Sequence, residues 1–314
     1  MVFHIIIFLL SSLSFIFSGR LIVNGLIRVA KFLKWREFVV GFIIMSLASS
    51  LPNLFVGISS ALRGIPELSF GDVLGGNVID LTLVMAIGIL LSRGIRTESR
   101  MVQTSSVFTL GIAVLPLILA ADKEISRFDG LILIFAFLFY GLWLFAKEER
   151  FSKIYHDHPN NDGKAFLKNI VSLMAGITLL LLASQGIVGS ASFFAKELAI
   201  PLGLVGILIV GLGNCLPELY FTILLARKKQ GWLILGDLMG SVIIPATLVL
   251  GIVALISPIK IDDFSPYLIA RAFLIISAVF FLIFLRSDKK LTKKEGLFLL
   301  GLYIAFLLSE IFLR

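Results

Sequence analysis

The chain has 314 residues, of which 58% are hydrophobic and only 15% charged, with a net charge of +8. So much apolar surface has no use in a water-soluble domain, and a single cysteine, Cys215, excludes an internal disulfide framework. The excess of lysine and arginine gathers at the ends of apolar runs, where it marks membrane topology rather than a nucleic-acid surface.

In chain order, apolar windows predict ten membrane helices over 2–33, 37–62, 68–92, 101–121, 127–146, 165–198, 201–227, 232–256, 266–286 and 295–313. The first has no basic stretch ahead of its apolar run and no convincing cleavage site, so it reads as a retained helix and not a signal peptide. The first and sixth run to about 30 residues, roughly 45 Å at 1.5 Å per residue, and must tilt or project beyond the hydrocarbon. One long polar connection, 147–164, separates a first five-helix unit (1–146) from a second (165–314). Its His156-Asp157-His158 reads as solvated loop, with metal binding the alternative. Of the basic residues, twenty fall on one side of this topology and seven on the other, with Arg20 inside the first helix. The bias places the crowded side in the cytoplasm and both termini outside.

The two units repeat. Leu51-Pro52-Asn53 returns as Leu216-Pro217-Glu218 exactly 165 positions later, Gly71-Asp72 returns as Gly236-Asp237, and Gly75 returns as Gly240. Ala30-Lys31 with Ala195-Lys196, and Val40-Gly41 with Val205-Gly206, keep the same offset without a gap. Two similar halves with five helices each must enter the membrane from opposite sides. The predicted fold is therefore an all-α membrane protein of two inverted five-helix repeats. A polar motif returning at membrane depth, once per half, points to a secondary transporter whose substrate lies between the halves near the midplane.

Proline inside a helix removes a hydrogen bond and crowds the preceding turn. Pro52 and Pro217, each preceded by small residues, are expected to free carbonyls near Ala48 and Gly213 to face a cation. A simple proline kink is the alternative for either one alone, and two at equivalent positions beside polar side chains favour the ion site. Glu218 and Asp80 lie deep in their helices, where a carboxylate costs roughly 2.5–3.5 kcal/mol on insertion scales and needs a cation, a proton or a partner. Asp72, Gly76 and Asp80 share one helical stripe, as do Asp237, Ser241 and Pro245. Two readings of Asp72 and Asp237 stand side by side. They are entrance carboxylates at the outer and inner mouths, or acids in the first turn of their helices that suit the dipole.

These motifs resemble the α-repeats of the cation/Ca²⁺ antiporter superfamily, which includes the Na⁺/Ca²⁺ exchangers. The family pattern is roughly G-T/S-S-L/A-P-E in the second and seventh helices, then G-N/D-x-x-G-S-N/A-x-x-N/D in the third and eighth. On that pattern Ser49 and Ser50 fall on the T-S pair, Asn77 on the asparagine, Asp80 on the terminal N/D, and Glu218 and Ser241 on the second-repeat glutamate and serine. The sequence departs from it at Asn53 (for glutamate), Gly76 (for serine), Asn214 and Cys215 (for the second T-S pair) and Pro245 (for N/D). The resemblance implies alternating access at one central site, with the first and sixth helices sliding across the other eight.

The expectation is therefore a cation antiporter exchanging Ca²⁺ against Na⁺. Its metal-binding residues are Ser49, Ser50, Asn53, Asn77, Asp80, Asn214, Cys215, Glu218 and Ser241. Hard oxygen donors suit Ca²⁺, while the Cys215 thiol either packs or admits a softer ion such as Mn²⁺. The rival readings are an H⁺-coupled exchanger of Ca²⁺ or Mn²⁺, and a nontransporting membrane sensor that keeps the fold. No enzymatic nucleophile–base pair appears in the spans, and no cofactor is expected. The partners expected are the lipid bilayer and inorganic cations, without nucleic acid, for a monomer in a prokaryotic inner (plasma) membrane.

Overall fold

The computed structural model describes residues 1–32, 45–92, 94–97, 100–147, 163–287 and 290–312. Among them are ten helices long and apolar enough to cross a membrane. They are α1 (Val2–Phe32), α2 (Met45–Leu62), α3 (Glu67–Ser92), α4 (Arg100–Leu119) and α5 (Arg127–Lys147) in the first half. The second half has α6 (Gly163–Glu197), α7 (Leu202–Arg227), α8 (Gly231–Ile256), α9 (Leu268–Ser287) and α10 (Lys293–Phe312). Each predicted boundary that can be compared falls within about two residues of these. Residues 37–44 of the second predicted helix lie outside the described residues, as does most of the linker, His156-Asp157-His158 included. Helices are the natural outcome for such runs, because backbone N–H and C=O groups in hydrocarbon find partners only within their own segment. The outer helices stay apolar where they meet lipid, as Phe128, Phe135 and Leu142 of α5 do.

Among the described residues, four two-residue strands in the loops reveal the relation between the halves. β1 (Ile95–Arg96) follows α3 and pairs antiparallel with β4 (Lys290–Leu291), which precedes α10. β2 (Glu124–Ile125) precedes α5 and pairs with β3 (Ile259–Lys260), which follows α8. The α3–α4 loop thus shares a face with the α9–α10 loop, and the α4–α5 loop shares one with the α8–α9 loop. Had both repeats entered the membrane in the same direction, the α3–α4 and α8–α9 loops would have met instead. The crossed pairing is what an inverted repeat produces.

α3 and α8 are the most enclosed helices, with α2 and α7 around them. Glycines bring α3 and α7 into backbone contact. A Cβ on Gly71 would lie 2.1 Å from the Gly203 carbonyl oxygen, and one on Gly75 the same distance from that of Ile207. Close backbone approach through small residues is how membrane helices gain packing without a hydrophobic drive. Wide π-turns interrupt α3 at Asp80–Val84 and α8 at Pro245–Val249, matching positions in the two repeats. Thr82 and Thr247, also matched, donate their hydroxyls back to the carbonyls of Val78 and Ile243. Such turns often mark functional sites.

The two proline motifs behave differently. α2 continues through Pro52, whereas α7 breaks at Cys215 and restarts at Leu216. Gly211 and Gly213 precede the break, where the first repeat has Ser46 and Ala48. Glycine yields more readily to the crowding that proline imposes.

α1 and α6 lie along one another, Gly176 of α6 meeting Ile22 and Leu21 of α1. Each is tied to the helix behind it at equivalent positions, 20 and 185. The Arg20 guanidinium stacks 4.1 Å from the centre of the Tyr220 ring on α7. Gln185 donates to the Ser59 hydroxyl on α2 at 2.7 Å and accepts from Arg63. At the entry to α9, Asp263 accepts from the backbone N–H and hydroxyl of Ser265, contacts that hold its carboxyl below the ordinary range.

Candidate ion site

All eleven residues singled out in the sequence converge at the centre of the bundle, and none is more than 4% exposed. α2 supplies Ser49, Ser50 and Asn53. α3 supplies Asp72, Asn77 and Asp80. α7 supplies Asn214, Cys215 and Glu218, and α8 supplies Asp237 and Ser241. Because α7 restarts at Leu216, Glu218 stands in the first turn of a new helical segment, where the dipole favours a negative charge. Neither Pro52 nor Pro217 has an N–H, so the carbonyls of Ala48 and Gly213 have no helical donor four residues on.

Hydrogen bonds sew the repeats together across this centre. Asn214 Nδ2 donates to Asp72 Oδ2 at 2.8 Å, and its repeat counterpart has Ser49 donating to Asp237 Oδ1 at 3.2 Å. Ser241 donates to Asp80 Oδ2 at 2.7 Å, and Asn53 Nδ2 lies 3.5 Å from Asp72 Oδ2. Cys215 Sγ lies 3.6 Å from the Gly76 carbonyl oxygen. Six buried oxygens of the cluster have no hydrogen-bond partner among the described residues: Ser50 Oγ, Asp72 Oδ1, Asp80 Oδ1, Asn214 Oδ1, Glu218 Oε2 and Asp237 Oδ2. Five of the six can only accept.

The electrostatics point the same way. Asp80 lies within repulsive reach of Asp72, Glu218 and Asp237. Among the described residues none of the four acids pairs with lysine or arginine. Nor do any three His, Cys, Asp or Glu side chains there close on a single point. The donor set is instead mixed, with carboxylate, hydroxyl and amide oxygens dispersed around a small volume. Hard oxygens in such a set suit Ca²⁺ and Na⁺.

One expectation is corrected. Asp72 and Asp237 stand at neither mouth and in neither first turn. Both are fully buried, and their helices begin at Glu67 and Gly231, more than a turn earlier. Both belong to the central cluster. A cleft of about 730 Å³ lies on the β2–β3 face, bordered by Glu67, Glu124, Asp262 and Asp263 together with Lys260. These acids, at the start of α3, in β2 and in the α8–α9 loop, lay outside every motif and carried no signal in the sequence. Ser12 of α1 escaped notice for the same reason; it is buried against Gly213 at the break in α7, its hydroxyl without a partner among the described residues.

Known proteins share this fold. Residues 3–146 and 168–312 match the sodium/calcium exchanger protein family. The sodium/calcium exchanger MaX1 of Methanosarcina acetivorans is 26% identical, across 95% of this chain and 96% of that one. The inner membrane protein YrbG of Escherichia coli is also 26% identical, across 86% and 85%. The solved structure of the sodium-calcium exchanger NCX_Mj soaked with Na⁺ and Ca²⁺ superposes with a TM-score of 0.70 at 22% identity, across 100% of this chain and 99% of that one. That likeness is one of fold, ten helices in two inverted repeats. Ten apolar spans, an internal repeat turned over in the membrane and a match along both halves lead to one assignment: this integral, multi-pass membrane protein belongs to the sodium/calcium exchanger family.

Proposed function

We propose that the chain is a secondary active cation antiporter that exchanges Ca²⁺ against Na⁺ by alternating access. It works as a monomer in a prokaryotic plasma membrane, with both termini outside, and performs no enzymatic chemistry. Ions compete for a midplane site built on Asn53, Asp80 and Glu218 and completed by Ser49, Ser50, Asn77, Asn214 and Ser241. The observation that carries this reading is the set of six unpartnered buried oxygens, most of them on carboxylates that have no basic partner among the described residues. An uncompensated carboxylate at membrane depth costs several kcal/mol, so a bound cation is the state in which the centre is stable. The same cost makes the empty, charged site slow to cross the apolar barrier, which enforces exchange over leak. The name of MaX1 and the ions soaked into NCX_Mj support Ca²⁺ and Na⁺ as the pair.

A second reading couples divalent uptake to protons. Four buried acids exceed the charge of one divalent ion, and the Cys215 thiol beside Gly76 is a donor that Mn²⁺ accepts more readily than Ca²⁺ does. Proteoliposomes loaded with Na⁺ or with acid, diluted into radiolabelled Ca²⁺ or Mn²⁺, separate the two. Uptake driven by the Na⁺ gradient alone supports the first reading, and uptake driven by the pH gradient alone supports the second. No uptake of either ion under either gradient defeats both and leaves a fold retained for sensing.

A further inference from the structure

We propose that Asp72 is a direct cation ligand, held in place by Asn53 and Asn214. This rests on the antiporter reading and adds to it the residue through which the first repeat presents a second negative charge.

Two amide nitrogens, one from each repeat, approach the same oxygen of this carboxylate. Asn214 Nδ2 is 2.8 Å and Asn53 Nδ2 3.5 Å from Asp72 Oδ2. An amide nitrogen only donates, so both contacts engage Oδ2, fix the carboxylate plane and leave Oδ1 as a free acceptor. Among the described residues Oδ1 is buried without a partner, and so is Asn214 Oδ1. The pair thereby offers two hard oxygens from opposite halves. Asp72 itself is 0% exposed, and no lysine or arginine among the described residues neutralises it.

The repeat supplies a second argument. The counterparts of Asn53, Asp72 and Asp80 are Glu218, Asp237 and Pro245. The second repeat carries its acids at the first two of these positions and the first repeat at the last two. Each repeat then contributes two carboxylates to the centre, but only if Asp72 is counted. With Asn53 uncharged, Asp72 is the acid of the contacting 53/72 pair.

The bland alternative is a strut, in which Asp72 merely joins α2, α3 and α7. A strut tolerates asparagine, which keeps an acceptor oxygen for Asn214; a ligand that supplies negative charge loses that charge. The experiment uses the full-length protein in detergent, with equilibrium binding of radiolabelled Ca²⁺ and melting measured with and without Ca²⁺. Asp72→Asn is expected to weaken Ca²⁺ binding at least tenfold and to abolish Ca²⁺-induced stabilisation. The exchange Asn53→Glu with Asp72→Asn returns the charge to the neighbouring side chain and is expected to recover binding to within a few-fold of the parent. Parent-like binding by Asp72→Asn overturns the proposal, as does a folded double variant with no recovery. Should Asp72→Asn fail to fold, the double variant decides alone. Binding is read without a gradient, so a parent protein that binds Ca²⁺ but transports nothing defeats the antiporter reading and leaves Asp72 to be judged.

Discussion

Asn77 donates a hydrogen bond to the backbone carbonyl of Val242, at 3.5 Å, and Val242 occupies the position of Asn77 in the other repeat. A residue meets its own counterpart only on the axis that exchanges the two halves. This contact therefore marks the pseudo-twofold axis, and the acids are distributed around it. Asn77→Leu removes this side-chain donor from a carbonyl that a backbone N–H also reaches, at a cost of about 0.5–1.5 kcal/mol. The expected result is a melting temperature lower by several degrees in detergent, together with reduced Ca²⁺ uptake.

Glu218→Gln and Asp80→Asn each remove one of two mutually repelling carboxylates. Uptake is expected to fall at least tenfold in either variant, while stability in the absence of ions rises or holds, because like charges no longer oppose each other in the core. Transport assays paired with ion-free melting curves check both halves of the statement. A variant that loses stability without ions would show that repulsion is not what the site stores.

Gly75→Ala drives a methyl group into the Ile207 carbonyl, backbone against backbone, where neither side can turn away. Overpacking of this kind costs about 1–3 kcal/mol. Gly111 in α4 is the control, since a Cβ there meets nothing within 4 Å. Gly111→Ala is expected to hold or raise the melting temperature through better helix propensity, about 1 kcal/mol at most. Melting of the two variants side by side tests whether the α3–α7 contact, and not glycine loss in general, sets the cost.

Arg20 and Gln185 tie α1 and α6 to α7 and α2 at equivalent positions, hence on opposite sides of the midplane. A stacked guanidinium contributes about 0.5–2 kcal/mol. With both termini outside, as proposed, Arg20→Ala is expected to open the cytoplasmic half more often and Gln185→Ala the outer half. Cys215, the only cysteine, is buried at the centre and reports the change. Membrane-impermeant maleimide should label it about threefold to tenfold faster from the cytoplasmic side in the first variant and from the outer side in the second.

The spans were legible because hydrocarbon thickness sets their length and an apolar run announces itself. The inversion was legible because the offset of 165 held and five is odd. Depth was the part that misled. Counting from a helix end placed Asp72 and Asp237 near a surface, but α3 and α8 run through the middle of the bundle and both acids face protein. Linear position measures distance along the membrane normal and is silent on lateral enclosure, which only the packing of α3 on α7 determines. Nor did Leu-Pro announce that α7 would break while α2 would not; the difference lies in the glycines that precede Pro217. The tie between Arg20 and Tyr220 joins residues 200 positions apart, and no local pattern links them.

Each short strand in the loops pairs with one from the opposite half, β1 with β4 and β2 with β3. Neither half could satisfy its own strands if made alone, nor could it surround an ion with its own two acids. The boundary at 147–164 thus divides the sequence without dividing the folding unit. Cutting the chain there should yield fragments that fold only when produced together, each serving as the template for the other.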